Sequence, residues 1–501
     1  MVETETLAHT INSIVVALGW VAGIAMMLLA LLFLQDVLQK EHAVRRNFPV
    51  VGRLRYFMEN LGVYLRQYFF ANDREEQPFD RLTRAWVYRV AKGLGGIVGF
   101  GSTNDMREPG TVIFINSPFP KLDEECEPAP PLVIGPGCDK PFSARRIVNI
   151  SGMSFGALSS VAVEALSRGA AASGVWLNTG EGGLAPYHHA GDCDLVFQIG
   201  TAKYGVRDEQ GRLSDAKLRQ VGEHVKAFEI KLAQGAKPGK GGILPAVKVT
   251  PEIARIRGIP AGQASRSPNR HLDVASPDDL LDMVARVRDL TGRPVGFKTV
   301  IADGRYPAAL ADLILRRGID SAPDFMVVDG GDGGTGAAPQ VLADHVGLPI
   351  SEALPIAVDV LIRAGLRERI RVVASGRLVT SARAAWALCV GADFVNTARG
   401  FMFALGCLQS LQCHNDTCPT GITTHNRRLQ KGLVPKEKAR RVATYAVGIN
   451  NELDVIAHSC GLTHAREFGR EHARIVQMAG RSIGLTELYP YPEASVPLKS
   501  A

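Results

Sequence analysis

Three cysteines fall within twelve positions as Cys407-x5-Cys413-x4-Cys418, with Pro419 after the last. Three thiolates this close in sequence can ligate a metal. The spacing is not the two-residue pair of a zinc ribbon. It also lacks the fourth cysteine of a ferredoxin run, although a proline follows the last cysteine there too. On spacing alone, three readings stay open: an iron–sulfur centre with three ligands, a zinc ion completed by His414 or His425, or free thiols. The other five cysteines, at 126, 138, 193, 389 and 460, are scattered, which suits a reduced compartment and no disulfide framework. His188-His-Ala-Gly-Asp-Cys193 has ligand-type residues, but it reads as a loop.

A second group of motifs is built for anions. Asp329-Gly-Gly-Asp-Gly-Gly-Thr-Gly-Ala-Ala-Pro339 leaves room for backbone N–H groups to wrap an anion, with Gly333, Gly334 and Thr335 at its centre. Ala374-Ser-Gly-Arg-Leu378 offers Gly376 and Arg377, and Asn396-Thr-Ala-Arg-Gly400 offers Ala398 and Arg399. Three such loops, each after an apolar strand-like run, point to a phosphate. Lys231-Leu-Ala-Gln-Gly-Ala-Lys237-Pro-Gly-Lys-Gly-Gly242 adds two ammonium groups that can hold a carboxylate or stabilise an anion. Asn178-Thr-Gly-Glu181-Gly-Gly183 places one carboxylate at another strand end.

These loops need a scaffold that brings many strand ends together. From about residue 145 onward, short apolar runs alternate with helical stretches. Strands are expected over 146–153, 175–178, 195–199, 229–232, 295–300, 324–328, 371–374 and 393–396, and helices over 158–173, 305–317, 354–364 and 380–389. Alternation over about 300 residues argues for a parallel sheet, and the number of runs suits a (β/α)8 barrel. A doubly wound open sheet is the alternative.

The chain begins differently. No charged residue occurs from 11 to 34, and at ~1.5 Å per residue this stretch reaches about 36 Å, enough to cross a bilayer core. Acidic Glu3 and Glu5 precede it, and Lys40, Arg45 and Arg46 follow. That asymmetry predicts a single-pass anchor in the cytoplasmic membrane with the body of the chain in the cytoplasm. Residues 48–70, rich in Arg and aromatics, read as an amphipathic stretch lying on the membrane or packed on the body. The expected layout is a tail over 1–10, the span over 11–34, a juxtamembrane and helical region over 35–140, the barrel with its cysteine loop over 141–455, and an extension over 456–501. The net charge of +7 is concentrated after the span and over 427–441. With aromatics at 7% and no nucleic-acid motif, it does not indicate nucleic-acid binding.

Taken together, these motifs resemble the FMN-binding synthase domain of glutamate synthases. The resemblance runs from about 147 to 445. It rests on Ser151-Gly-Met-Ser-Phe-Gly-Ala-Leu-Ser159, the strings beginning at Asn178, Lys231 and Asp329, residues 198–206, and Gly406-Cys-Leu-Gln-Ser-Leu-Gln-Cys-His-Asn-Asp-Thr-Cys-Pro-Thr-Gly421. It implies a (β/α)8 barrel, FMN, and a 3Fe–4S cluster on Cys407, Cys413 and Cys418. It also implies reductive amination of 2-oxoglutarate to glutamate. By matched position, Gln198, Lys237 and Lys298 would contact FMN. Lys231 and Arg257 would clamp the 2-oxo acid, and Glu181 would stand near the ammonia entrance. Three departures are visible. A membrane span stands where the family carries a glutaminase domain. The family's Gln after Gly-Gly is Ile243, and its Glu in Lys-Pro-Gly-Glu is Lys240. The chain looks like the short, membrane-anchored members of the family. An altered pocket admits transfer of an alkylated amine, and a flavin and iron–sulfur relay without amination is a further alternative. The G-x-G-x-x-G match at Gly331–Gly336 lies inside the glycine loop already read as a phosphate site and does not open an expected helix, so the expected electron donor is a partner protein, ferredoxin-like or a flavoprotein.

Overall fold

The computed structural model describes residues 2–493, with side chains from His9 onward. The chain divides into two units, residues 1–81 and 82–501.

The first unit opens with one helix, Val2–Leu38. Its His9–Leu38 stretch has a mean hydropathy of 2.6 in its most apolar window, and its apolar side chains are exposed along the whole length, Trp20 and Met26 among them. By length and composition this helix is able to cross a membrane. The helix overruns the expected 11–34 at both ends, because helix formers continue through the polar flanks. Asp36 near its end is fixed by Arg53 at 2.8 Å and by the Val50 N–H at 3.0 Å. The amphipathic stretch is helical over Gly52–Leu65 and ends in one wider turn, Arg66–Phe70.

The second unit is built on a closed barrel of eight parallel strands. In chain order they are β1 (Val148–Ile150), β2 (Leu177–Asn178), β3 (Leu195–Ile199), β4 (Ala227–Lys231), β5 (Val295–Thr299), β6 (Phe325–Asp329), β7 (Arg371–Ser375) and β8 (Phe394–Thr397). Each pairs with its chain neighbour, and β8 closes on β1 through Val395 with Val148 and Thr397 with Ile150. The open-sheet alternative is thereby excluded. All eight expected strands are present, the first two shorter than expected. β2 starts late because the Asn149 side chain, not a strand, accepts the Trp176 N–H.

Helices Ser160–Ser173, Arg305–Arg317, Ile350–Arg363 and Ser381–Val390 stand where helices were expected. Ile350–Arg363 starts four residues before the expected 354, so Pro355 lies inside it. That proline leaves the Ser351 carbonyl without its helical donor. The Tyr489 hydroxyl donates to that carbonyl at 3.2 Å, so a segment more than a hundred residues away makes the proline tolerable.

Inward-facing positions run from apolar at one end of the barrel to polar at the other. Val196, Ala227, Phe325, Val327, Val373 and Phe394 form a buried cluster at the N-terminal end. It is sealed by a two-stranded hairpin, Leu132–Ile134 with Phe142–Ala144, whose Ile134, Phe142 and Ala144 join the cluster. Two residues further along the same strands, the inward positions become Gln198, Glu229, Asp329, Ser375 and Asn396. The period of two therefore assigns packing to one end and chemistry to the other.

Candidate functional site

The polar strand ends converge on a cavity at the C-terminal end of the barrel. Of the residues expected to bind a cofactor, Gln198, Lys298, Gly333, Gly334, Gly376, Arg377, Ala398 and Arg399 line it. Lys231, Gln234 and Asp329 line it too. Thr335 does not: its hydroxyl closes a turn with the Ala337 N–H and carbonyl. Lys237 is also off the wall, donating to the Ala337 carbonyl at 3.2 Å.

Two buried pairs brace the cavity floor. Lys298 meets Asp329 at 3.1 Å, and Asp329 also accepts the Gly235 N–H at 2.7 Å. Burial alone would lower the Lys298 pKa, but Asp329 and Glu229 outweigh it and raise it. Glu229 accepts from the Gln198 amide, and burial raises its carboxyl pKa. Gly235 is obligatory here, because a Cβ at this position would stand 1.9 Å from the Gly330 carbonyl oxygen.

One end of the cavity is positively charged. Gly376 holds a φ of +132°, which turns the β7 loop inward and which side chains rarely adopt. Arg377 follows, and its buried Nε has no protein partner. Arg399 donates to the Asp332 carbonyl at 2.8 Å. Its pKa falls to about 10, chiefly by burial and then by repulsion from Arg377. Arg383 lies in the same field: its pKa is lowered by burial, with Arg377 adding and Asp332 opposing. Three guanidinium groups thus crowd one loop cluster, while an Asp332 oxygen is engaged by the Ile350 N–H. Surplus buried charge, an unsatisfied guanidinium N–H and open glycine backbone fit a phosphate monoester such as that of FMN.

Beside the cavity lies a second charge cluster. Glu181 meets Lys231 at 3.1 Å, and Lys231 also donates to Gln234 at 3.0 Å. Arg257, 5% exposed, donates to the Phe155 carbonyl at 3.0 Å and lies over the Tyr204 ring. Burial would raise the Glu181 pKa, but Lys231, Lys237 and Arg257 bring it down to about 2. Burial brings Lys237 to about 8. All four expected catalytic residues are therefore in one electrostatic cluster, three cations around one carboxylate. The carboxylate's folded pKa lies below its ordinary value of about 4.3, so its stabilising effect is complete above that pH and is lost as pH falls toward 2. Glu181→Gln is accordingly expected to flatten the acid limb of a plot of urea midpoint against pH over that interval.

The three clustered cysteines share one loop. Gln409, Leu411 and Asp416 within it all have positive φ, so the backbone coils on itself between the thiols. Burial, opposed by the Gln409 N–H and aided by the charge of Cys413 and Cys418, raises Cys407 to about 12. In Cys418, hydrogen bonds from Thr420 and Thr423 outweigh burial and lower the pKa. Among the described residues, no three His, Cys, Asp or Glu groups are close enough to hold a single metal ion. His425 is turned away to the Gly156 carbonyl at 2.9 Å. The zinc alternative thus has no donor set here. Three thiols on one coiled loop are the donor type that an iron–sulfur centre takes. In the His188 loop, Cys193 is a weakly polar neighbour of Ser167 and His188 packs against its own turn, as expected of a loop.

Sequence reading did not single out Glu229, Gln234, Asp329 or Arg383 as site residues. Glu229 had a signal, a charge inside the apolar strand Ala-Phe-Glu-Ile-Lys. Arg383 had another, a cation in the first turn of a helix, the end where the dipole disfavours one.

A family profile described as "Conserved region in glutamate synthase" matches residues 120–463. The chain is 38% identical to the glutamate synthase large subunit-like protein YerD of Bacillus subtilis, over 93% of this chain and 96% of that one. It is 34% identical to an archaeal glutamate synthase [NADPH] of Methanocaldococcus jannaschii, over 68% of this chain and 63% of that one. Among solved structures, a mandelate oxidase aligns with a TM-score of 0.45 at 16% identity, covering 78% of this chain and 98% of that one.

Proposed function

Since the chain belongs to the glutamate synthase family, we propose that it reductively aminates a 2-oxo acid, 2-oxoglutarate in the first instance, with ammonia. The observation that carries this reading is the cluster of Lys231, Lys237 and Arg257 around Glu181 beside the cavity. Three cations against one carboxylate leave a surplus of two positive charges, which suits a dicarboxylate. Arg257 can bind one carboxylate end through two N–H groups. Glu181, ionised at neutral pH, can hold an ammonium or accept a proton as the amine condenses with the 2-oxo carbonyl and water leaves.

FMN, held by Gly376, Arg377, Arg399 and the Gly333–Gly334 backbone, would supply the hydride for the resulting imine, and a 3Fe–4S cluster on Cys407, Cys413 and Cys418 would supply electrons singly. A proton completes the amino acid. Lys231, on the cavity wall, and Lys237, in the same charge cluster, hold the substrate anion by their charge. Because burial puts Lys237 near 8, binding of the dianion should weaken as pH rises through that value. In Lys237→Met this inflection in KM should vanish.

The decisive assay reduces the purified protein chemically under anaerobic conditions and then adds 2-oxoglutarate and ammonia. Prompt reoxidation with glutamate formed mole for mole supports the reading; a flavin that stays reduced with every oxo acid and amine tried overturns it and leaves electron relay. A second reading, use of an alkylated amine, is favoured by Ile243. It follows Gly242, whose α-carbon lies so close to Glu181 that a Cβ would stand 2.4 Å from the carboxylate. The residue that follows this close approach is apolar where the family resemblance expects an amide. Faster reoxidation with methylamine than with ammonia would select this reading.

The exposed apolar helix His9–Leu38 supports anchoring in the cytoplasmic membrane, with the barrel on the side of Lys40, Arg45 and Arg46. The full chain should remain in the membrane pellet after an alkaline carbonate wash.

A further inference from the structure

The cysteine loop is stitched to the barrel by a buried ammonium. Lys248, 1% exposed, ends the short turn Ala246–Lys248. Its Nζ donates to the Cys413 carbonyl at 3.1 Å and to the Ala157 carbonyl at 2.9 Å, the latter on the loop that follows β1. Around this tie, Ser159 donates to the Gly421 carbonyl at 2.7 Å, and the Ser159 N–H meets the Ile422 carbonyl at 2.8 Å. The hydrogen bonds need only donors. A lysine supplies something more, a buried positive charge, held below about pH 8 because burial brings its pKa down to about 8.

A second buried cation approaches from outside the shared family region. Helix Arg81–Ala91 precedes residue 120, where the family match begins. Tyr88 on this helix donates to the Cys407 carbonyl at 2.5 Å and packs edge-on against Phe403 at 6.0 Å. Arg84, one turn earlier and 2% exposed, lies on the same face of this helix as Tyr88, the face that meets Cys407. Lys248 is held against Cys413 through its carbonyl, and Asp416 is the carboxylate of the same loop. Asp416 is itself engaged by the His425 N–H at 2.7 Å. The thiol loop therefore has a buried cation at each end.

We propose that Lys248 and Arg84 are fixed counter-charges of the three-thiolate centre and set how readily it accepts an electron, Arg84 being contributed by a helix that the wider family region does not include. The inference rests on reading Cys407, Cys413 and Cys418 as cluster ligands. Uptake of one electron from an external one-electron reductant breaks no bond and adds one negative charge. Buried positive charges stabilise that added charge far more than the same charges would in water. Both residues are positioning residues in this role.

The test is an EPR-monitored redox titration of the detergent-solubilised full chain with dithionite and mediators. Lys248→Gln keeps N–H donors for both carbonyls and removes the charge, and Lys248→Arg keeps the charge. Lys248→Gln and Arg84→Gln are each expected to lower the cluster midpoint by at least tenfold in the one-electron equilibrium, about 59 mV. Lys248→Arg should hold it near the parent value, and the flavin midpoint should move less than the cluster's in all three. A cluster midpoint unchanged in both Gln variants overturns the inference while leaving the cluster reading intact. If Lys248→Gln loses the cluster, Arg84→Gln decides by the same criterion. A parent protein with flavin but no three-iron signal overturns the cluster reading and this inference with it.

Discussion

Lys231→Met should lower kcat/KM for 2-oxoglutarate by a hundredfold or more. Its ammonium sits 3.1 Å from Glu181, with side chains only 11% and 17% exposed. Removing one partner of such a pair costs about 3–5 kcal/mol when the remaining charge stays buried. Here the loss is double: the substrate loses a carboxylate partner, and Glu181 loses its nearest cation. The Glu181 pKa should rise as a result, moving the acid limb of the pH–rate profile upward. The pair Lys231→Met with Glu181→Gln separates the two losses. If Glu181 is only a structural counter-ion, Glu181→Gln alone keeps most of the parent kcat and the double variant recovers stability in urea but falls no further in activity than Lys231→Met. If it handles the amine, Glu181→Gln alone is already inactive and its KM for ammonia is raised. Steady-state kinetics with flavin content measured on each preparation reads both outcomes. A fall of less than fivefold would remove Lys231 from the substrate site.

The second large effect concerns retention of the cofactor. Arg399→Met should weaken FMN binding by about a hundredfold, so that dialysis releases the flavin and free FMN restores it only at high concentration. Charge-assisted hydrogen bonds contribute about 1.5–3 kcal/mol each, and a guanidinium can make two to one phosphate. Repulsion from Arg377 and burial already bring Arg399 down to about 10, so the protein holds this charge at a cost in the absence of an anion. The variant apoprotein should therefore melt no lower than the parent apoprotein, while the parent gains more on adding FMN. Fluorescence titration and thermal melts with and without FMN test this. Equal affinity in parent and variant would place the phosphate elsewhere.

The barrel was legible in the sequence because its strands are short, apolar and buried on both sides, and because several end at or just before glycine, asparagine or aspartate. Leu195–Ile199 and Arg305–Arg317 have the expected bounds, since each is delimited by strong local signals. Boundaries failed where distant groups intervened. Asn149 takes over a strand hydrogen bond at Trp176, and Tyr489 makes Pro355 acceptable inside a helix. Neither can be read from a local window. In the site, glycine loops and paired cations announced themselves by type and spacing, as did the cysteines. Glu229 and Asp329 were harder, because their role is to compensate Lys298 across neighbouring strands, a relation fixed by register. Thr335 was chosen for standing among glycines, and its hydroxyl is consumed by its own turn.

The hairpin that stoppers the barrel with Ile134 and Phe142 has a kinetic corollary. A vessel closed at its base has a single doorway, so in the proposed reaction the amino acid would depart by the route its precursor took. Product and incoming oxo acid should then compete for passage as well as for the cations. Glutamate ought to inhibit competitively against 2-oxoglutarate, and grafting new rims onto the doorway should change what enters without unsettling the foundation.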